Sequence, residues 1–154
     1  MKNKFMFGVV LAAVIAASGC CSMCKHKKSD DGKCSCGMTT KAMPMAEINT
    51  SALKTLIDSG VKVTLVDART GKFDDGRRIS NALNLGPEAK DDEIQGSLKS
   101  KDALIVSYCA NLKCPASRQL AARLTTMGYK HVLEYPQGIE GWTAEGNPVT
   151  QVSK

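Results

Sequence analysis

The stretch of this sequence that most restricts its fold runs from Ala103 to Gly128. It opens with an apolar run over residues 103–106, which is too short for a helix and typical of a buried strand. The chain then passes Cys109, crosses a short loop and enters a helical pattern from Pro115, which ends at the glycine. The stretch therefore predicts the strand–loop–helix unit of an α/β domain, with a cysteine at the carboxyl end of the strand.

Cys109 stands where an α/β protein holds its reactive groups. The dipole of the following helix and its unpaired N–H groups favour a negative charge, so they should lower the pKa of a thiol at this place. The alternative is an inert core residue, because cysteine is among the residue types most often buried. The position at the end of the strand favours the functional interpretation.

The rest of the chain from Glu47 alternates between patterns typical of helices and of strands. In order, it predicts a helix capped by Thr50 or Ser51 and ending at Gly60, a strand over 61–68, a charged loop over 71–79, a short strand over 82–85 and a helix over 88–98. After the opening stretch come a strand over 131–135 and a turn that holds Trp142 in the core. This alternation predicts a single α/β domain over residues 46–152, with a central parallel sheet of about five strands and helices on both faces.

Residues 1–19 are typical of a secretory signal peptide, with a charged start and an apolar stretch over 5–17 that is too short to predict a spanning helix. The segment ends in Ala-Ser-Gly-Cys, which resembles the lipobox of bacterial lipoproteins, with Ala17 in place of the usual Leu. The resemblance implies a lipid on Cys20 and a chain anchored in the bacterial cell envelope, its body facing the periplasm or the exterior. Ordinary cleavage and an uncleaved anchor are the alternatives, and the choice of inner or outer membrane stays open.

Residues 20–45 predict a flexible tether rich in Cys, Lys and Met, because they show no apolar periodicity. The tether contains candidate sulfur ligands for Cu(I) or Zn(II), namely Cys21, Cys24, Cys34 and Cys36. The alternative is a spacer whose thiols pair as disulfides in an oxidising compartment. The spacing between the cysteine pairs matches no established zinc site, so the spacer is the favoured interpretation.

The formal charge of +6 lies mainly in the signal peptide and tether, and the body from Glu47 is close to neutral. The sequence has no basic patch with interleaved aromatic residues, which argues against a nucleic-acid partner. It predicts no cofactor for the body. The partner predicted for the N-terminal part is a membrane, reached through the lipid on Cys20.

The body resembles the rhodanese family of sulfurtransferase domains at landmarks that fall in the family's order and spacing. These are Asp67-Ala68-Arg69 after a strand, Phe73 with Gly76 and Ile79 before Ala82-Leu83-Asn84-Leu85, Tyr108-Cys109, Gly128-Tyr129 with Val132, and Gly138-Ile139 with Trp142. The resemblance implies a rhodanese-like fold for the whole body and Cys109 as the catalytic cysteine.

Two departures from the family pattern lie near the implied site. The family's Gly-His-Ile is replaced by Gly76-Arg77-Arg78-Ile79, and the two arginines either line the site entrance or are solvated. The cysteine loop is about two residues longer than usual and lacks the family's glycine and arginine. The polar groups left to face an anion are those of Asn111, Lys113 and Arg118.

The resemblance also implies a chemistry for Cys109. Its thiolate would attack the sulfane sulfur of a small anion or persulfide donor, hold it as a persulfide and pass it to a thiol or to cyanide. The backbone N–H groups of 110–116 and the charge of Lys113 would hold the anion. The implied active-site loop comprises Ala110, Asn111, Leu112, Lys113 and Cys114, with Arg118 in the helix, while Asp67 and Arg69 form a structural ion pair beside it.

Cys114 has a C-x4-C spacing from Cys109. It could attack a persulfide or sulfenate on Cys109 and form a disulfide, provided that the two Cα atoms lie within about 7 Å. The alternative is a small apolar residue packed under the start of the helix. Two other functions therefore stay open beside sulfur transfer: a thiol–disulfide redox protein that uses both cysteines, and a non-catalytic binding module.

Two further enzyme classes are excluded or disfavoured by the same residues. A tyrosine-phosphatase loop needs an arginine six residues after the cysteine, where this chain has Pro115. A cysteine protease needs a histidine partner, and the body offers only His131 at the start of a predicted strand.

Overall fold

The structure is a computed structural model that describes residues 45–152. The predicted signal peptide, the predicted lipid on Cys20 and the four tether cysteines lie outside the described residues, so these expectations stay predictions. Within residues 45–152, no helix is long and apolar enough to cross a membrane.

Helices and strands alternate along the described chain, except that β1, β2 and β3 follow one another. In order they are α1 (Thr50–Asp58), β1 (Val63–Asp67), β2 (Arg77–Ile79), β3 (Leu83–Asn84), α2 (Asp91–Ser97), β4 (Leu104–Tyr108), α3 (Ala116–Thr126), β5 (His131–Tyr135), α4 (Gly138–Ala144) and β6 (Val149–Gln151). The short loop between β1 and β2 contains a 3-10 turn over Gly71–Phe73. The α/β class predicted from the sequence is confirmed.

The central sheet is parallel and has the strand order β3-β1-β4-β5. Within residues 45–152 it has four strands, where the sequence predicts about five, and β2 pairs instead with β6 in a separate antiparallel ribbon. In the sheet register Asp67 lies beside Tyr108, and Tyr108 lies beside Tyr135. The carboxyl ends of the three longest strands thus meet at one edge, and Cys109 follows directly at this edge.

Helices cover both faces of the sheet, as predicted. On one face, Val66 of β1 and Ile105 of β4 pack with α2 and α3 in a single apolar cluster. On the other face, Leu65 and Val106 pack with α1 and α4. Adjacent strand residues point to opposite faces, so both clusters fix the position of β4 and of the cysteine that follows it.

Three local expectations are corrected by the structure. Asn49 caps α1, since its side chain accepts a hydrogen bond from the Ala52 N–H at 2.9 Å, while Thr50 is buried and hydrogen-bonds Tyr135. Trp142 lies in the core as predicted, but on the helix α4 and not in a turn. The predicted charged loop over 71–79 contains the strand β2. This strand has no alternating apolar residues, and it is held in place by pairing with β6 and by ion pairs.

Candidate active site

Cys109 is held at the sheet edge by the start of α4. The residue is 2% exposed, and its carbonyl accepts a hydrogen bond from the Ile139 N–H at 3.0 Å. The next carbonyl, that of Ala110, accepts one from the Glu140 N–H at 3.0 Å. The first turn of α4 therefore fixes the backbone on which the cysteine stands.

Gly138 permits this close approach of loop and helix. Its φ is +63°, and a Cβ at this position would lie 2.5 Å from the Cys109 carbonyl oxygen and 2.6 Å from the Ala110 carbonyl carbon. Both distances are far below van der Waals contact with backbone atoms that cannot rotate away. A side chain at position 138 would therefore displace the loop that carries the cysteine.

Cys109 and Cys114 form a disulfide in the structure, with a Cα–Cα separation of 6.2 Å. This separation meets the distance condition for the bond that the sequence left open. The loop turns back on Asn111, whose carbonyl accepts from the Cys114 N–H and whose side-chain oxygen accepts from the Lys113 N–H, both at 3.0 Å. The Asn111 amide donates to Glu140 at 3.0 Å, so this residue shapes the loop with both ends of its side chain.

A cavity of about 440 Å³ opens beside the disulfide. Most of its wall is apolar, and its lining residues are Ala68, Arg69, Thr70, Phe73, Pro87, Cys109, Ala110, Asn111, Lys113, Cys114, Pro115 and Ala116. Phe73 is 66% exposed, and the Lys72 ammonium lies 5.2 Å from the centroid of its ring. Of the site residues predicted in the body, Asp67, Leu112 and Arg118 do not line this cavity.

The charge of Arg69 is neutralised although its side chain lines the cavity. Its guanidinium is buried, lies 2.8 Å from the carboxylates of Asp67 and Asp75, and donates to the Arg77 carbonyl at 2.5 Å. Burial opposes the charge, but the hydrogen bonds and the charges of the two carboxylates outweigh it and raise the pKa of Arg69. Arg69 therefore supports the cavity wall and offers little net charge to an anion.

The loop before β2 extends this ion-pair network. Arg78 is buried, lies 2.6 Å from Asp74 and 3.4 Å from Asp67, and does not line the cavity. Arg77 is half-exposed and pairs with Asp75 at 2.7 Å. The sequence leaves open whether these two arginines line the site entrance or are solvated. In the structure both serve mainly as ion-pair partners. The run of two acids followed by two bases is the signal that could have indicated this.

Arg118 lies on another side of the loop. Its Nε donates to Glu134 at 2.8 Å, and its Nη2 contacts Glu47. Glu134 is buried and also accepts a hydrogen bond from the Ser117 hydroxyl at 3.0 Å. The carboxylate thus anchors the first turn of α3, a role that the sequence did not reveal because Glu134 occupies a strand position without any motif.

Lys113 is the cavity-lining cation that has no carboxylate partner within residues 45–152. Among the same residues, the backbone N–H groups of Ala110, Asn111 and Leu112 have no hydrogen-bond acceptor. These three donors belong to the loop that directly follows Cys109. The described part of the chain contains no cluster of three or more metal-ligating side chains.

The chain matches one protein-family model and is similar to several solved structures. The family model described as Rhodanese-like domain matches residues 49–145. Among solved structures, the BH2092 protein from Bacillus halodurans is 25% identical with a TM-score of 0.62, over 69% of this chain and 77% of that one. A rhodanese-like domain from Anabaena sp. is also 25% identical, with a TM-score of 0.58, over 69% of this chain and 79% of that one.

A more distant neighbour is a thiosulfate sulfurtransferase from Pseudomonas aeruginosa, which is 13% identical with a TM-score of 0.57. The match covers 71% of this chain and 21% of that one, and at this identity it concerns the fold alone. No curated protein sequence matches the chain.

Proposed function

The chain belongs to the rhodanese-like domain family, and on this premise we propose that it is a sulfurtransferase whose Cys109 carries sulfane sulfur as a persulfide. The observation that carries the proposal is the place of Cys109, at the carboxyl end of β4 and in the wall of a 440 Å³ cavity. Cys109 is bonded to Cys114 in the structure, so a reductant must first free its thiolate.

The reaction consists of two displacements. The Cys109 thiolate attacks the sulfane sulfur of a donor, the bond from this sulfur to the rest of the donor breaks, and the donor leaves as an anion such as a sulfinate. An acceptor thiolate then attacks the outer sulfur of the Cys109 persulfide, takes it up as its own persulfide and restores the cysteine thiolate.

The surroundings of Cys109 suit an anion of low charge. The free N–H groups of Ala110, Asn111 and Leu112 are donors for a persulfide, and Lys113 adds one positive charge. Arg69 adds little, because two carboxylates neutralise it. The apolar wall and the exposed ring of Phe73 favour donors that carry an organic group over small, doubly charged ones.

Mass measurement of the persulfide tests the proposal. The full chain is prepared with Ser at the five N-terminal cysteines, reduced, freed of reductant and mixed with benzenethiosulfonate. We expect release of benzenesulfinate, and in a Cys114→Ser variant we expect a gain of one sulfur atom on the peptide that contains Cys109. A Cys109→Ser variant is the control and should release no sulfinate. Equal, near-zero release from the parent and from this control would contradict sulfur transfer.

A thiol–disulfide redox protein is the second candidate, and the disulfide between Cys109 and Cys114 favours it. It predicts that the reduced chain transfers two electrons to a disulfide substrate, and that Cys114→Ser abolishes this transfer. Sulfur uptake from benzenethiosulfonate distinguishes the two functions, because a protein limited to thiol–disulfide exchange would release no sulfinate.

We also propose that Cys20 carries a lipid that anchors the chain in the cell envelope, as the lipobox-like residues before it suggest. Fractionation of bacterial cells tests this point. The parent is expected in the membrane fraction, and a Cys20→Ala variant that stayed there in equal amount would contradict it.

A further inference from the structure

We infer that Cys114 resolves the Cys109 persulfide, so that the protein releases the accepted sulfur as hydrosulfide and is left with the disulfide seen in the structure. The inference rests on the proposed sulfur transfer, since the persulfide is its starting point. It adds a second activity to that function, namely the reduction of sulfane sulfur to hydrosulfide, in which the two cysteine thiols are oxidised to a disulfide.

The loop brings the second thiol within bonding distance of the first. The Cα atoms of Cys109 and Cys114 are 6.2 Å apart, and the turn between them is closed by the hydrogen bond from the Cys114 N–H to the Asn111 carbonyl. Asn111 is itself held by Glu140 at the start of α4. The turn that positions Cys114 is therefore built on the same helix that fixes Cys109.

Burial gives Cys114 an advantage over an external thiol. Cys109 is 2% exposed, so an outside acceptor must enter the cavity to reach the persulfide. Cys114 already lines that cavity on the same loop, and a reaction partner held in place acts at a far higher effective concentration than one in solution.

The attack of Cys114 on the Cys109 persulfide needs no further reagent. The Cys114 sulfur attacks the inner sulfur, Cys109 Sγ, the bond from Sγ to the outer sulfur breaks, and the outer sulfur takes the Cys114 proton and leaves as hydrosulfide. The sulfane sulfur gains two electrons, and the two cysteines lose them as they form the disulfide. An external dithiol then reduces this disulfide by thiol–disulfide exchange and becomes a disulfide itself, which returns the Cys109 thiolate.

A single turnover without any acceptor thiol tests the inference. The full chain with Ser at the five N-terminal cysteines is reduced, freed of reductant and mixed with equimolar benzenethiosulfonate. Benzenesulfinate reports the first displacement, hydrosulfide reports the resolving step, and the mass of the loop peptide reports its end state. We expect the parent to release both products in equal amounts and to end as the Cys109–Cys114 disulfide.

The Cys114→Ser and Cys114→Ala variants separate the two steps. Both should still release sulfinate and retain the sulfur as a persulfide, and for each mole of sulfinate they should release at least about tenfold less hydrosulfide than the parent, a difference of about 1.4 kcal/mol if it is expressed as a barrier. Hydrosulfide release equal to that of the parent, or a parent that keeps its persulfide, would overturn the inference and leave the sulfur transfer intact. The absence of sulfinate from the parent and from both variants would instead contradict the transfer itself.

Discussion

At the scale of single residues, Gly138 sets how closely the cysteine loop approaches α4. Gly138→Ala should destabilise the protein for two reasons: its φ of +63° is unfavourable for alanine, and the new Cβ would meet the Cys109 carbonyl oxygen at 2.5 Å. The unfavourable φ should lower the free energy of unfolding by about 1–2 kcal/mol, and the clash should bring the whole loss to about 3 kcal/mol or more. Urea unfolding measures the change.

Gly60 offers a matched control for the effect of φ alone. Its φ is +71°, and a Cβ there would meet no atom within 4 Å. Gly60→Ala should therefore cost only the conformational term of about 1–2 kcal/mol. Equal losses for both variants would mean that the loop moves away from position 138 without cost, contrary to the role given to the contact.

Asp67 balances two buried guanidinium groups, those of Arg69 at 2.8 Å and Arg78 at 3.4 Å. Asp67→Asn keeps the shape of the side chain but removes the fully buried carboxylate that the two arginines share, leaving Arg69 with Asp75 and Arg78 with Asp74. We therefore expect a loss of about 3 kcal/mol in the free energy of unfolding. The matched control is Asp102→Asn, which removes an ion pair with Lys130 between two largely exposed side chains and should lower the free energy of unfolding far less. A small effect at Asp67 would show that the neighbouring acids suffice for both arginines.

At the scale of elements, the loop that leads into β2 depends on the ionisation of Asp75. Burial opposes this ionisation, but hydrogen bonds from the Arg77 N–H, the Arg77 side chain and Arg69 outweigh burial and lower the pKa of Asp75 from 3.8 to about 2. Because the folded state holds the proton less tightly, the stabilisation is complete above about pH 4 and is lost as the pH falls toward 2.

The difference in stability between the parent and Asp75→Asn should therefore shrink as the pH falls from about 4 to about 2. It should be constant from pH 5 to pH 7, where the carboxyl is ionised in both the folded and the unfolded parent. Thermal unfolding of both proteins along a pH series measures this difference. A difference that stayed the same down to pH 2 would mean that Asp75 acts through its shape and not through its charge.

The elements that the sequence predicts well are those whose own residues determine them. The apolar runs of β1, β4 and β5 and the ends of α3 follow from local pattern, and the parallel sheet follows from their alternation with helices. The ribbon of β2 and β6 could not be predicted, since β2 is charged, β6 is short and each is a strand only because of the other.

The same division applies to the candidate site. Cys109, the ion pair of Asp67 with Arg69, and the spacing that allows a bond to Cys114 can be found from motif and distance along the chain. The partners of Arg118 could not be found, because Glu134 comes from β5 and is brought beside α3 only by the folded sheet. A side chain that lies near the cysteine loop in sequence, such as Arg118, can therefore be paired with acids that are distant in sequence.

At the scale of the whole molecule, the sheet must hold Cys109 in the same place whether or not the disulfide is formed. Two apolar clusters on opposite faces fix β4, and neither includes residues of the loop over 110–114. The disulfide closes only a very short loop, for which the loss of chain entropy in the unfolded state is worth about 2 kcal/mol. Reduction should therefore loosen the loop and leave the domain folded.

Hydrogen exchange measured on the oxidised and the reduced chain, again with Ser at the five N-terminal cysteines, tests this expectation. Exchange should become faster within the loop over 110–114, where the Cys114 N–H loses the restraint on its hydrogen bond to Asn111, while β4 and the centre of α3 exchange as before. If exchange instead accelerated throughout β4 and α3, the disulfide would be a structural bond of the domain. Repeated reduction and oxidation during sulfur transfer would then require partial unfolding in every turnover, and the cycle proposed for Cys109 and Cys114 would be untenable.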